Sequence, residues 1–198
     1  MDEAPVFTSR DADTTLENRS LQVYKAAATD PEGRTLTYSI TGGADAGLLQ
    51  ISNQSDGVVT FKIAPNYEDP KDVGRDNVYN IIVTASDGVN STSKEVAITV
   101  TNANDAPSIT SEASASTQET NGTVVYTARA TDQDPYTTLT YSLSGGADYR
   151  LFNIDRNTGE VTFKTPPNFE APGDSDKNNI YEIIVQVSDG SLTDTKTV

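Results

Sequence analysis

The feature that most constrains this chain is that it is written twice. Ala4-Pro5-Val6-Phe7-Thr8-Ser9 returns as Ala106-Pro107-Ser108-Ile109-Thr110-Ser111, and Ala28-Thr29-Asp30 as Ala130-Thr131-Asp132. Leu36-Thr37-Tyr38-Ser39 matches Leu139-Thr140-Tyr141-Ser142, and Gly42-Gly43-Ala44-Asp45 matches Gly145-Gly146-Ala147-Asp148. Pro65-Asn66-Tyr67-Glu68 pairs with Pro167-Asn168-Phe169-Glu170, and Ser86-Asp87-Gly88 with Ser188-Asp189-Gly190. The offset stays at 102 or 103, so indels are single residues in loops. A fixed self-similarity of this kind marks a duplicated structural unit. It divides the 198 residues into one unit over 1–103 and a second over 104–198.

Each unit reads as all-β. From Val78 to Ala85 the residues Tyr79, Ile81, Val83 and Ala85 fall on one face with period two, and Val96, Ile98 and Val100 repeat the pattern. Asp87-Gly88 between them suits a hairpin turn. Further short runs at Leu21–Thr29, Thr35–Thr41 and Val58–Ile63 are separated by Gly, Asn, Asp and Pro. About seven short strands in ~100 residues is the pattern of a Greek-key β-sandwich, so two tandem seven-stranded sandwiches are expected. No segment carries a helical period. The second unit reaches Val198 before any counterpart of Ala97–Val100, which predicts a shortened last strand and a partly unpaired edge.

The chain holds no His, Cys or Trp. That removes the commonest general base, the thiolate nucleophile, His and Cys metal ligands and any disulfide framework, so no enzyme is expected. Acidic residues number 29 against 14 basic, a formal charge of −15. A field of that sign repels nucleic-acid phosphates and anionic lipid, and attracts cations. No apolar run approaches the ~20 residues of a membrane-spanning helix. Met1-Asp2-Glu3-Ala4-Pro5 reads as a start placed on an internal segment of a longer protein.

The acids cluster at strand ends: Glu17, Glu68, the linker Asn102-Ala103-Asn104-Asp105-Ala106-Pro107, then Asp132-Gln133-Asp134 and Asp189. Calcium takes six to eight oxygen ligands from such carboxylates, amides and backbone carbonyls. Pro5-Val6-Phe7, Glu17-Asn18, Pro65-Asn66-Tyr67-Glu68, Asn102–Pro107, Asp132-Gln133-Asp134 before Tyr141-Ser142, and Ser188-Asp189 together resemble the cadherin repeat, specifically the cadherin-like domains of bacterial surface proteins. The resemblance covers the whole chain. It implies one calcium ion held by Glu17, Glu68, Asp105 and Asp134 with the carbonyl of Ala103. It implies a second held by Asn104, Asp132, Asp134 and Asp189 with the carbonyl of Ala106. At a third position the family has Asp where this chain has Asn66 and Asn102, so that site should be weakened or lost. The resemblance further implies an extracellular or cell-surface setting, with neighbouring repeats or identical repeats on another molecule as partners.

Several residues admit plainer readings. Asp87 and Asp189 also serve as hairpin residues, while Asp30 and Glu32 in the first unit, and Glu119 and Glu170 in the second, repeat the ligand positions without the linker that would complete them. Asp174, Asp176 and Asn178 have the odd-position spacing of a calcium loop, against a default of polar surface loop. Tyr38, Tyr79, Tyr141 and Tyr181 fit core positions, whereas Tyr67, Tyr136 and Tyr149 fit loops or strand ends. The second functional reading is a calcium-dependent carbohydrate-binding module.

Overall fold

The computed structural model describes residues 2–19, 21–119 and 123–198. It splits into two compact units, Met1–Ala103 and Asn104–Val198, and each is a β-sandwich. In the first unit the strands are β1 (Val6–Phe7), β2 (Ala12–Leu16), β3 (Tyr24–Lys25), β4 (Ala28–Thr29), β5 (Thr37–Gly42), β6 (Leu49–Ile51), β7 (Val58–Phe61), β8 (Val78–Ser86) and β9 (Ser91–Thr101). One sheet has the order β2-β9-β8-β5 and the other β3-β7-β6, with β1 paired to β4 at the margin. The pieces form seven runs, because β1 and β2 share one stretch of chain and β3 and β4 share another. The expected strand over Leu21–Thr29 is thus divided. Tyr24 and Lys25 pair with Val59 and Val58, whereas Ala28 and Thr29 turn to Phe7 and Val6. Between them the Ala26 amide donates to the Gly57 carbonyl. Propensity cannot register such a change of partner, since both halves are equally apolar.

The alternation in β8 and β9 sets the core. Tyr79, Ile81, Val83, Ala85, Val96, Ile98 and Val100 lie between 0% and 2% exposed. They face Tyr24, Leu49, Val59 and Phe61 of the opposite sheet. At roughly 25 cal/mol per Å², each such aliphatic side chain contributes about 1.5–3 kcal/mol when fully buried. Tyr38 and Tyr79 are core residues, while Tyr67 and Tyr136 are exposed. The buried Tyr24 hydroxyl donates to the Arg10 carbonyl at 2.6 Å, and Tyr126 ties down Glu112 in the same way at 2.8 Å.

The second unit repeats the plan with β10 (Ser108–Ile109), β11 (Val124–Thr127), β12 (Ala130–Thr131), β13 (Thr140–Gly145), β14 (Phe152–Ile154), β15 (Glu160–Phe163), β16 (Ile184–Ser188) and β17 (Thr193–Thr197). Its sheets run β13-β16-β17 and β11-β15-β14. Tyr126, Phe152, Val161, Phe163, Ile183 and Val185 form the core, with Tyr141 and Tyr181 packed against it and only partly buried. Two short 3-10 turns, Ala46–Leu48 and Tyr149–Leu151, interrupt the β pattern at equivalent places.

Both turns follow the repeated Gly-Gly-Ala-Asp. Gly43 sits at φ +99°, with its α-carbon facing the β8 backbone so closely that a β-carbon would lie 2.3 Å from the Ile81 Cα. That close approach places Asp45, 2% exposed, beneath the following loop. One Asp45 oxygen accepts the Val73 amide at 2.8 Å and the other the Asn80 amide at 2.7 Å. Asp72, equally buried, accepts the amides of Asp76 and Asn77. These carboxylates give the long loop between β7 and β8, which carries Glu68, its fixed shape. Removing one would leave amide donors unmatched at about 1–3 kcal/mol each.

Candidate metal centre

The loop carrying Glu68 leaves β7 beside the end of β2. Glu17, directly after β2, is 1% exposed. Its backbone amide donates to the Thr101 carbonyl, so the β2–β9 pairing holds the residue in place. One Glu17 oxygen accepts the Tyr67 amide at 2.7 Å and the other the Ala103 amide at 2.8 Å. A buried carboxylate thereby joins three segments: the first strand, the Glu68 loop and the linker. A Glu17 oxygen and a Glu68 oxygen lie within 4.8 Å of each other. One cation with oxygen distances of ~2.3–2.6 Å can span that separation. Asn66, where the weakened third position was expected, uses its side-chain oxygen to accept the Asp69 amide at 2.8 Å. Asn102 is exposed.

In the second unit the linker and two loops meet. Asp132 follows β12, and its Oδ1 accepts the Asp134 amide at 2.9 Å. Asp134 Oδ2 accepts the Asp105 amide at 2.7 Å. Gln133 donates to Asp105 Oδ2 at 3.2 Å. Asp189 occupies the β16–β17 hairpin, where its Oδ1 takes the Ser191 and Leu192 amides at 2.6 Å each. Its other oxygen accepts the Asn104 side-chain amide at 2.7 Å. The hydrogen bond from Asn104 and those from Leu192 and Ser191 hold the Asp189 carboxyl below the ordinary carboxylate pKa. Asp189 thus serves the hairpin through one oxygen and Asn104 of the linker through the other. Ala106 is exposed beside buried Pro107.

One oxygen in this set has no donor. Asp132 Oδ2 is buried and accepts no hydrogen bond among the described residues. A buried acceptor without a partner costs about 1–3 kcal/mol, more when charged. Among the described residues, the ion pairs are Arg34–Asp2 and Lys71–Asp69, and neither touches Asp132, Asp134 or Asp189. The donor set is all oxygen, which suits a hard divalent cation such as calcium. The residues present fit that ion.

The predicted loop at Asp174, Asp176 and Asn178 is closed differently. Asp174 is 1% exposed and accepts the amides of Asn178 and Asn179 at 2.7 and 3.3 Å, as Asp72 does in the first unit. Burial opposes its ionisation, yet the Asn178 amide leads the hydrogen bonds that keep its pKa below the ordinary value. Asp176 accepts the Asn178 side-chain amide at 2.7 Å. The spacing serves a self-satisfied turn. Of the four buried aspartates, Asp45, Asp72 and Asp148 escaped the sequence reading, which singled out only Asp174; their recurrence in both copies was the available signal.

A sequence profile of the bacterial Ig domain matches residues 2–101, and one of the cadherin domain matches residues 112–198. Cadherin-related family member 1a of Danio rerio is 27% identical over 181 residues, covering 87% of this chain and 20% of that protein. The cadherin EGF LAG seven-pass G-type receptor 1 of Mus musculus is 30% identical over 173 residues, covering 84% of this chain and 5% of that protein. The chain thus spans a fifth or less of these relatives. Among solved structures, human protocadherin-24 EC1-2 (form II) superposes with a TM-score of 0.63 at 21% identity, covering 100% of this chain and 94% of that one. Drosophila N-cadherin EC1-4 gives 0.60 at 26% identity, covering 100% and 49%. By its first unit the chain belongs to the bacterial Ig domain family and by its second it carries a cadherin domain, so that it is a tandem pair of cadherin-like repeats.

Proposed function

We propose that this chain is a calcium-binding spacer or adhesion module of an extracellular or cell-surface protein, stiffened at its linker by two ions. The observation that carries the reading is Asp132 Oδ2, a buried carboxylate oxygen with no donor, in an all-oxygen set with no Lys or Arg paired to it among the described residues. Glu17, Glu68, Asp105 and Asp134, with the Ala103 carbonyl, would hold one ion. Asn104, Asp132, Asp134 and Asp189, with the Ala106 carbonyl, would hold the other. Bound calcium supplies positive charge and several oxygen-coordination positions at once.

The rest follows from the side chains. Glu17 and Glu68 belong to the first unit, the remaining acids to the second, and Ala103–Asn104 joins the two covalently. Carboxylates ~4–6 Å apart repel by a few kcal/mol per pair at an effective dielectric near 20, before screening. Metal-free, the linker is a hinge under charge repulsion. With its carboxylates neutralised and ligating from both units, it becomes a strut. Asn104 would turn its amide so that oxygen, in place of nitrogen, faces the shared site. Extracellular calcium modules typically work at ~10⁻⁴–10⁻³ M.

The domain families matched here are not enzyme families. The partners proposed are neighbouring repeats in the parent protein and identical repeats on another molecule. For the carbohydrate reading, Tyr38 and Tyr79 are core residues and unavailable as sugar platforms, which leaves it the exposed rings of Tyr67 and Tyr136. Small-angle scattering in millimolar calcium and after chelation tests the stiffening. The expected outcome is a narrower distribution of particle dimensions with calcium; superimposable profiles would refute it.

A further inference from the structure

The repeated Gly-Gly-Ala-Asp leads into different residues in the two copies. The first continues Ala46-Gly47-Leu48 and the second Tyr149-Arg150-Leu151, each as a 3-10 turn. A lysine is common to both. Lys62 Nζ donates to the Gly47 carbonyl at 2.7 Å, and Lys164 Nζ donates to the Arg150 carbonyl at 2.7 Å. In the second unit this tie holds an ammonium on the turn that carries a guanidinium. Arg150 Nε donates to the Tyr149 hydroxyl at 3.3 Å, and the guanidinium carbon stands 5.7 Å from the centre of that ring. Its terminal nitrogens make no hydrogen bond to the described residues. Among those residues neither Arg150 nor Lys164 enters an ion pair.

The loop after β15 differs as well. Ala171 and Gly173 stand where the first unit has Asp69 and Lys71, which pair with each other. Tyr181 is held alike in both copies: its hydroxyl accepts the Gly173 amide at 3.4 Å, as that of Tyr79 accepts the Lys71 amide at 3.4 Å. A β-carbon built on Gly173 would meet only the Tyr181 hydroxyl, at 3.9 Å, so the backbone does not require glycine there. Between turn and loop lies a hollow of about 420 Å³, lined by Arg150 and Lys164 and by Leu151, Pro166, Pro167 and Tyr181 among others. Among the described residues that line it none is acidic, in a chain where acids outnumber bases 29 to 14.

We propose that this hollow binds a small organic carboxylate carried on an apolar ring. The carboxylate takes the free fork of Arg150, a geometry that guanidinium offers in bidentate form, with the Lys164 ammonium as a second charge. The ring lies against Leu151, Pro166 and Pro167. Both halves are needed. A contact between exposed charges is weak alone, and the apolar walls do not distinguish an acid from a neutral ring. The first unit lacks the site for two reasons: Gly47 replaces the guanidinium, and Asp69 brings a carboxylate of its own.

The test uses the 198-residue chain in calcium-free buffer at fixed ionic strength, so that metal–carboxylate contacts play no part. Benzoate is titrated and backbone amide shifts are read by NMR. Saturable shifts at Leu151, Lys164 and Gly173 are expected, with a dissociation constant of about 1–10 mM, while Gly47, Leu48 and Lys62 stay unmoved. Benzamide, which keeps the ring without the charge, should bind about two- to fivefold more weakly, and so should benzoate to Arg150→Gly. Acetate and glucuronate, which lack an apolar ring, should be weaker by about tenfold or more. Importing the first unit's pair as Ala171→Asp with Gly173→Lys should remove saturation, with the Val185 and Val187 amides unshifted as the check on folding. Shifts that never saturate overturn the proposal, as does equal response of the two units. Benzamide or glucuronate matching benzoate, or unchanged affinity in Arg150→Gly, overturns it too.

Discussion

Two acidic sets in this molecule occupy the same place in the two copies and are treated differently. In the second unit, Asp132, Asp134 and Asp189 meet the linker through Asn104 and Asp105. In the first, Asp30, Glu32 and Asp87 stand at the equivalent positions, and Asp30 Oδ2 and Asp87 Oδ2 are likewise buried without hydrogen-bond partners among the described residues. The first set, however, has a cation of its own chain beside it. Arg34 pairs with Asp2 at 3.0 Å, and its charge is among the influences lowering the Asp87 pKa, behind the amides of Val89 and Asn90. Asn90 also donates to Asp2. The residue corresponding to Arg34 in the second unit is Thr137, whose hydroxyl donates to the Asp134 carbonyl. Among the described residues, one copy draws part of its counter-charge from Arg34, whereas no Lys or Arg forms an ion pair with Asp132, Asp134 or Asp189 in the other. Duplicated scaffolds can therefore differ in internal charge compensation through a single loop residue.

That contrast can be broken most severely at Asp134, the carboxylate assigned to both ions. Asp134→Ala should lower calcium affinity at least tenfold, which is about 1.4 kcal/mol or more. Both units should keep their melting transitions in chelator, because the side chain belongs to a loop and not to either core. Unchanged affinity would remove Asp134 from the site.

Importing the first unit's solution is the next strongest perturbation. Thr137→Arg should place a guanidinium beside Asp134 and weaken calcium uptake about three- to tenfold at low salt, with the difference shrinking as salt screens it. Titrations at low and high ionic strength check this, and an effect independent of salt would indicate a steric cause instead.

A smaller effect is expected from Asn104→Ala in the metal-free chain. Asn104 is the leading cause of the depressed Asp189 pKa, so its removal should raise that value while leaving Asp87 unmoved. The sign for stability follows from the depression. Asp189 contributes fully above its unfolded value near ~3.9 and loses that contribution as pH falls through its lower folded value. Carboxyl NMR titration of both residues in wild type and variant reads the difference. The smallest effect belongs to Arg34→Thr, which should raise the Asp87 pKa slightly, since Arg34 stands behind the two backbone amides among its causes.

Much of this was legible before any coordinates. The period of two in Val78–Ala85 and Val96–Val100 is a burial pattern written directly into side-chain polarity, and the structure buries those same residues. The duplication divides the chain into two copies, and Asp132 and Glu17 are among the carboxylates at its strand ends. Other features are long-range and leave no local trace. Leu21–Thr29 reads as one strand because its apolar content is continuous, yet its two halves bond to different partners. Asp45 and Asp72 look like surface charge in sequence, and only the amides of Val73, Asn80, Asp76 and Asn77 make their burial tolerable. The Arg34–Asp2 pair joins residues from separate segments, so charge counting alone could not assign it.

Calorimetric titration of the 198-residue chain with calcium at neutral pH addresses the central claim most directly. Uptake of two ions per chain in the ~10⁻⁴–10⁻³ M range, lost or reduced to a weak remnant in Asp134→Ala, is the predicted result. Heats no different from dilution up to about 10 mM, roughly tenfold above that range, would contradict it.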